Sequence, residues 1–212
     1  MLLSVLAVKV SQCTEFLEAQ NVGNAMYGLK GMNSDHEEVR DLVNALIPKI
    51  ASVREDLNGQ AVGNSMYGLQ NMNSKDGVVQ NLLSVLAVVV ERSWEELNAQ
   101  EIGNALYGMK RMSSSVAEVR MLIAAITAKI AKSHHLLDAQ AVGNALYGLQ
   151  NMTNHPEILA LLQVLGIKII NSRNELDGQS IGNALYGIQG FSSDYPEVRV
   201  MLSALTDKIF NA

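Results

Sequence analysis

One block of residues recurs five times along this chain: NVGNAMYGLKGM from Asn21, AVGNSMYGLQNM from Ala61, EIGNALYGMKRM from Glu101, AVGNALYGLQNM from Ala141 and SIGNALYGIQGF from Ser180. The starts lie 40, 40, 40 and 39 residues apart. A unit this short cannot bury its own apolar face, so neighbouring units must stack and share one core. A stack of like units also presents rows of like side chains, and rows suit long ligands.

Each unit reads as two helices. In the third repeat Asn98 is a good N-cap, and Glu101 completes a capping box. Leu97 and Ile102 sit at the spacing of a hydrophobic staple, a pair repeated by Leu17 and Val22, Leu57 and Val62, Leu137 and Val142, and Leu176 and Ile181. Ile102, Ala105, Leu106, Met109 and Met112 form one apolar stripe, which extends the first helix to about Met112 before Ser113–Ser115 turn the chain. A second helix begins near Glu118 with the stripe Val119, Leu122, Ile123, Ile126 and Ile130. Pro156 and Pro196 precede a Glu at the equivalent start, where a missing N–H costs nothing. Lys49, Lys129, Lys168 and Lys208 fall in last turns, where the helix dipole favours a cation. Pro48 falls late in its helix and is expected to kink it. The fold expected is an all-α solenoid of five helix-turn-helix repeats.

The opening MLLSVLAVKV looks like the apolar part of a secretory leader. Its core, LLSVLAV, recurs verbatim at residues 82–88 in the middle of a repeat, so it reads as structural helix. Residues 1–17 are then part of a preceding repeat's second helix with a linker, and 18–212 the five-repeat array. The chain is expected to be a slice of a longer array or one whose cap is missing. Leu2, Leu3 and Leu6 lack a partner helix on this reading, which favours self-association through that end. No stretch approaches the ~20 apolar residues of a membrane span, which points to an intracellular protein.

On the first helix a second stripe runs beside the apolar one: Gln100, Gly103, Asn104, Tyr107 and Arg111. It repeats as a Gln row (Gln20, Gln60, Gln100, Gln140, Gln179), an Asn row (Asn24, Asn64, Asn104, Asn144, Asn183) and a Tyr row (Tyr27, Tyr67, Tyr107, Tyr147, Tyr186). Two roles are open. The flanking glycines, each costing about 1 kcal/mol in a helix interior, suggest close helix approach, with Asn bonding neighbouring backbone and Tyr packing between repeats. The alternative is ligand contact, Tyr offering an apolar face and Asn an amide, for bases or for an extended peptide. Slots that vary between repeats are specificity candidates: Lys30, Gln70, Lys110, Gln150 and Gln189 in one, and Gly31, Asn71, Arg111, Asn151 and Gly190 in the next.

Catalytic, metal and cofactor chemistry find no foothold. The four histidines, His36, His134, His135 and His155, have no metal-ligand spacing, and there is no phosphate loop or nucleophile elbow. The single cysteine, Cys13, rules out an internal disulfide; Ser93, Ser133 and Ser172 fill its slot elsewhere, so the position reads as a small filler. Trp94 reads as packing the junction before a first helix. A charged fraction of 17% argues against disorder, and a net charge of −5 gives a nucleic-acid ligand no overall help.

Residues 97–112, LNAQEIGNALYGMKRM, resemble the octotricopeptide repeat family, with Tyr where that family has Trp and Gly at two of its Ala positions. The resemblance spans all five repeats. It implies paired helices in a solenoid, sequence-selective binding of organelle transcripts, and a plastid or mitochondrial location. Single-stranded RNA along the first helices is thus the first functional expectation, and an extended peptide gripped by the Asn and Tyr rows the second.

Overall fold

The computed structural model describes residues 2–172 and 175–210. They form eleven α-helices and, among the described residues, no strand: α1 (Leu2–Gln12), α2 (Ala19–Gly28), α3 (Glu37–Ala51), α4 (Gly59–Tyr67), α5 (Gly77–Arg92), α6 (Ala99–Tyr107), α7 (Ala117–Lys132), α8 (Ala139–Tyr147), α9 (Pro156–Asn171), α10 (Gly178–Gly187) and α11 (Pro196–Phe210). The even-numbered helices are the short first helices, and each packs on the even-numbered helices of adjacent repeats. The odd-numbered helices stack on one another in the same way, with α1 against α3. The molecule is a two-layered α-solenoid. One apolar cluster runs through it from Ala7 to Leu205. Both stripes read from the third repeat, Ile102 to Met112 and Val119 to Ile130, are fully buried in it.

Capping chemistry sets where the first helices begin. The side chains of Asn58, Asn98, Asp138 and Asp177 accept the N–H three residues on, at 2.7–3.0 Å. Asn98 and Glu101 form the full reciprocal box. The ends differ from the sequence expectation. The α-helix stops at Tyr107, not Met112, and the chain tightens to i→i+3 bonds: Met109 N–H to Leu106 O at 2.9 Å and Met112 N–H to Met109 O at 2.8 Å. A glycine at the helix end explains this, since Gly is a poor α-helix former and 3₁₀ turns satisfy the last carbonyls. Lys110 and Arg111 therefore sit in a tight turn beyond the helix. Pro48 does not end α3, which runs on to Ala51.

Serines stitch the stack. Ser34 Oγ accepts from Asn73 N–H, Ser74 Oγ from Ser113 N–H and Ser114 Oγ from Thr153 N–H, at 2.9–3.0 Å, tying the first four inter-helix turns in series. Ser93, Ser133 and Ser172 donate to the carbonyls of Leu57, Leu97 and Leu137 at 2.6 Å, all buried. These three are structural donors, not small fillers, because each closes a loop carbonyl that burial has removed from water. Three of the four last-turn lysines work similarly. Lys168 reaches Ser133 O at 2.6 Å, and Lys49 and Lys208 reach Cys13 O and Ser172 O. Trp94 is corrected too: it is 80% exposed. Its neighbours Ser93 and Leu97 take the inward positions of that loop, and Trp94 shares the outward slot of Arg54 and His134.

Candidate functional site

Gln100, Asn104 and Tyr107 are four and three residues apart, so they share one face of α6, and the same holds in every first helix. The first helices lie side by side, so these residues form three parallel rows across the stack. Glycine sets how close the rows come. A β-carbon placed on Gly103 would lie 3.0 Å from Ala141 Cα, on Gly143 3.0 Å from Ser180 Cα, and on Gly23 2.9 Å from Ala61 Cα. One on Gly68, Gly108, Gly148 or Gly187 would land on the carbonyl oxygen of Met26, Met66, Leu106 or Leu146 in the preceding repeat. Each of the three inner first helices thus uses one glycine against the next repeat and another against the previous one, and the two end helices use one each. Asn and Tyr lie between these two contacts.

The tyrosines form a continuous ladder. Tyr27, Tyr67, Tyr107, Tyr147 and Tyr186 stack at centroid spacings of 5.7, 5.7, 5.7 and 5.6 Å, with planes 18–23° apart. The three inner rings are half-buried and the two end rings exposed. Stacked pairs of this kind are worth about 0.5–1.5 kcal/mol each beyond their buried area. The packing role expected of Tyr is therefore met, ring on ring. The role expected of Asn is not. Asn24, Asn64, Asn104, Asn144 and Asn183 make no side-chain hydrogen bond to the described residues, because the glycine contacts and the serine ties already hold the repeats together.

The amides instead line open space. Tyr67, Asn104, Tyr107, Gln140, Asn144, Tyr147, Gln179 and Asn183 surround a shallow groove of about 420 Å³. A smaller hollow of about 210 Å³ carries the same rows into the first two repeats, between Gln20, Asn24, Gln60 and Asn64. Neither lining includes a charged side chain. A larger cavity, about 640 Å³ between α1 and α3, belongs to the other layer. We place the site at the groove because there alone a periodic row of unpaired amides meets a periodic row of rings.

Cations stand over the first and third rings of the Tyr row. Lys30 Nζ donates to Tyr27 Oη at 2.8 Å and lies 4.1 Å from the ring centroid. Lys110 Nζ donates to Tyr107 Oη at 3.2 Å and to Gln70 Oε1 at 3.0 Å, 4.4 Å from the Tyr107 centroid. Asn71 and Asn151 donate to the backbone carbonyls of Lys30 and Lys110 at 2.8 and 2.7 Å, so these two vary with their lysine partners as structural ties. Gln70 is buried, Gln150 half-buried, and Gln189 and Arg111 exposed. Sequence reasoning grouped all these as variable polar ends; only coordinates separate the cations from the ties.

Elsewhere, His134 Nδ1 pairs with Glu96 at 2.8 Å, and hydrogen bonds from the His134 backbone and ring hold the Glu96 carboxyl below its usual range. Among the described residues no group of three His, Cys, Asp or Glu could hold a metal, and no helix is long and apolar enough to cross a membrane.

No protein-family model matches the chain, and no curated protein matches it in sequence. Among solved structures, the designed armadillo repeat protein YIII(Dq)4CqI aligns over 96% of this chain and 90% of its own, with 16% identity and a TM-score of 0.35.

Proposed function

We propose that this chain is a non-catalytic binding module that holds an extended peptide along the groove of its first helices. The observation that carries this reading is the row of unpaired Asn amides lining an uncharged groove beside the tyrosine ladder. An Asn side chain offers one acceptor and two donors, which matches the N–H and C=O that every residue of an extended backbone exposes. An extended chain repeats its orientation every two residues, about 6.6–6.8 Å. The ring step of 5.7 Å is close enough to keep two residues per repeat in register across about three repeats.

Single-stranded RNA is the second reading, favoured by Lys30, Lys110 and Arg111 beyond the first helices and by the octotricopeptide-like motif. Two features weigh against it. The rings already stack on one another, which leaves no slot between them for a base. The groove also lacks the cationic track that phosphates need.

The test is selection of random peptides against the wild-type chain, followed by binding to the variant Asn104→Ala/Asn144→Ala. These side chains hold nothing together within the chain, so the variant should melt with the wild type while losing the selected peptides. A pool of single-stranded RNA is titrated in parallel at low and moderate salt. RNA binding that falls steeply with salt, with no peptide enriched, would overturn the peptide reading in favour of RNA.

A further inference from the structure

We infer that the groove selects peptides carrying a carboxylate at every fourth residue, read by Lys30 and Lys110. This inference rests on the peptide reading above and adds its charge pattern. Three observations lead to it.

The cations alternate with the repeats. The slot is Lys in the first and third repeats and Gln in the second and fourth. Asn71 and Asn151, in those Gln repeats, fasten the backbone of the preceding Lys at 2.8 and 2.7 Å. The functional unit is therefore a pair of repeats, with one cation per pair.

Both ammoniums are aimed and unneutralised. They lie against the Tyr27 and Tyr107 rings and their hydroxyls. Neither joins any of the ion pairs among the described residues, which engage Arg40, Arg92, Arg120 and His134. A lysine has three donors. Lys30 uses one and Lys110 two, so each keeps a donor for an incoming acceptor. A carboxylate, which only accepts, complements them.

The spacing suits a peptide. The rings against which Lys30 and Lys110 lie, Tyr27 and Tyr107, are two steps of 5.7 Å apart along the ladder, roughly 11 Å. Four residues of extended chain span about 13 Å, less when the strand twists, and they return the side chain to the same side. A nucleic acid bears a charge at every nucleotide and would leave most of its phosphates unpaired on so sparse a row.

The experiment measures fluorescence anisotropy at low salt with labelled peptides of about twelve residues on a Ser/Thr/Val background. One carries Asp at every fourth position, one Asp at every third, one Lys at every fourth and one no charge; a uridine oligomer of similar length is the fifth probe. The four-spaced Asp peptide should bind about tenfold tighter than the uncharged one, the gain expected of two partly exposed ion pairs. Lys30→Gln/Lys110→Gln should erase that gain, so that the variant binds the four-spaced Asp peptide no tighter than the uncharged one, with circular dichroism confirming the fold. Equal affinity for all peptides, or a preference that survives the double substitution, would overturn the charge pattern while leaving the peptide reading intact. Failure of every peptide beside salt-dependent binding of the uridine oligomer would overturn both.

Discussion

Gly108→Ala is the sharpest probe of how the array is held together. A methyl at this position would sit on the Met66 carbonyl oxygen, with the Tyr67 Cα of the same peptide unit 3.0 Å away. Both are backbone atoms, so no side chain can swing aside. Relief requires α6 to move away from α4 by more than an ångström, which also opens the Tyr67–Tyr107 stack. Overpacking of this kind costs typically 1–3 kcal/mol, and a rigid obstacle belongs at the upper end, about 3 kcal/mol. In a chain of this size each kcal/mol moves Tm by about 2–4 °C, so the melt should fall by roughly 6–12 °C. Scanning calorimetry gives the shift, and near-ultraviolet circular dichroism reports the tyrosines. Two controls isolate the mechanism. Gly28 occupies the same motif position in the first repeat, and nothing lies within 4 Å of a β-carbon there, so Gly28→Ala should not destabilise. Gly182 is equally open within α10, and Gly182→Ala should gain about 1 kcal/mol from helix propensity. If Gly108→Ala melts with the wild type, the glycine contacts do not set the stack and the reasoning fails.

Three further outcomes follow from burial. Tyr107→Ala removes two ring contacts from a half-buried residue and should cost about 1–3 kcal/mol in urea melts, below the full price of a core aromatic, while also abolishing peptide binding; loss of binding with no loss of stability would contradict the ladder. Ser65 stands where other repeats have Ala, and its hydroxyl is buried without a partner, so Ser65→Ala should stabilise by about 1 kcal/mol in the same assay. Lys129 is 8% exposed and its ammonium makes no hydrogen bond among the described residues, and burial lowers its pKa. Between that lowered value and the ordinary 10.5 the unfolded chain binds more protons, so stability should rise with pH through this window. Lys129→Met should be more stable than wild type at neutral pH, with the difference shrinking in urea melts as pH climbs through that window; a constant difference would sink the argument.

The architecture was legible because repetition multiplies weak signals. A single apolar stripe at helical spacing is ambiguous, but the stripes of Ile102 and Val119 recur in register, and both prove buried. The N-cap at Asn98 was legible for the same local reason. The helix end was not. Gly108 in a helical pattern reads equally as interior or terminus, and the choice depends on the Met66 carbonyl, forty-odd positions earlier in the chain. Tertiary pairing also decided the serines: Ser93 and Cys13 look interchangeable by size, yet Ser93 Oγ closes the Leu57 carbonyl. The site was half legible. Sequence identified the Asn and Tyr rows but left both roles, packing and ligand contact, open for each, because amides bordered by glycine suggest burial as readily as binding. The coordinates divide the labour, with rings on rings and amides on open groove.

That division links the stack to its proposed ligand. In most helix pairs side chains hold the axes 8–10 Å apart. Here glycines at two points of each inner first helix let backbone meet backbone, and the rings on that face stack at 5.7 Å. The same residues that stabilise the array therefore set the period of the amide row. With ordinary side chains at those points the helices would spread, and successive Asn amides would outrun the two-residue repeat of an extended peptide. The glycine pair costs helix propensity in every repeat, about 1 kcal/mol for each residue in a helix interior. What it provides is a fixed ruler. On this argument stability and recognition cannot be separated along the Tyr row, whereas they separate cleanly at Asn104 and Asn144, which line the groove and make no side-chain hydrogen bond among the described residues.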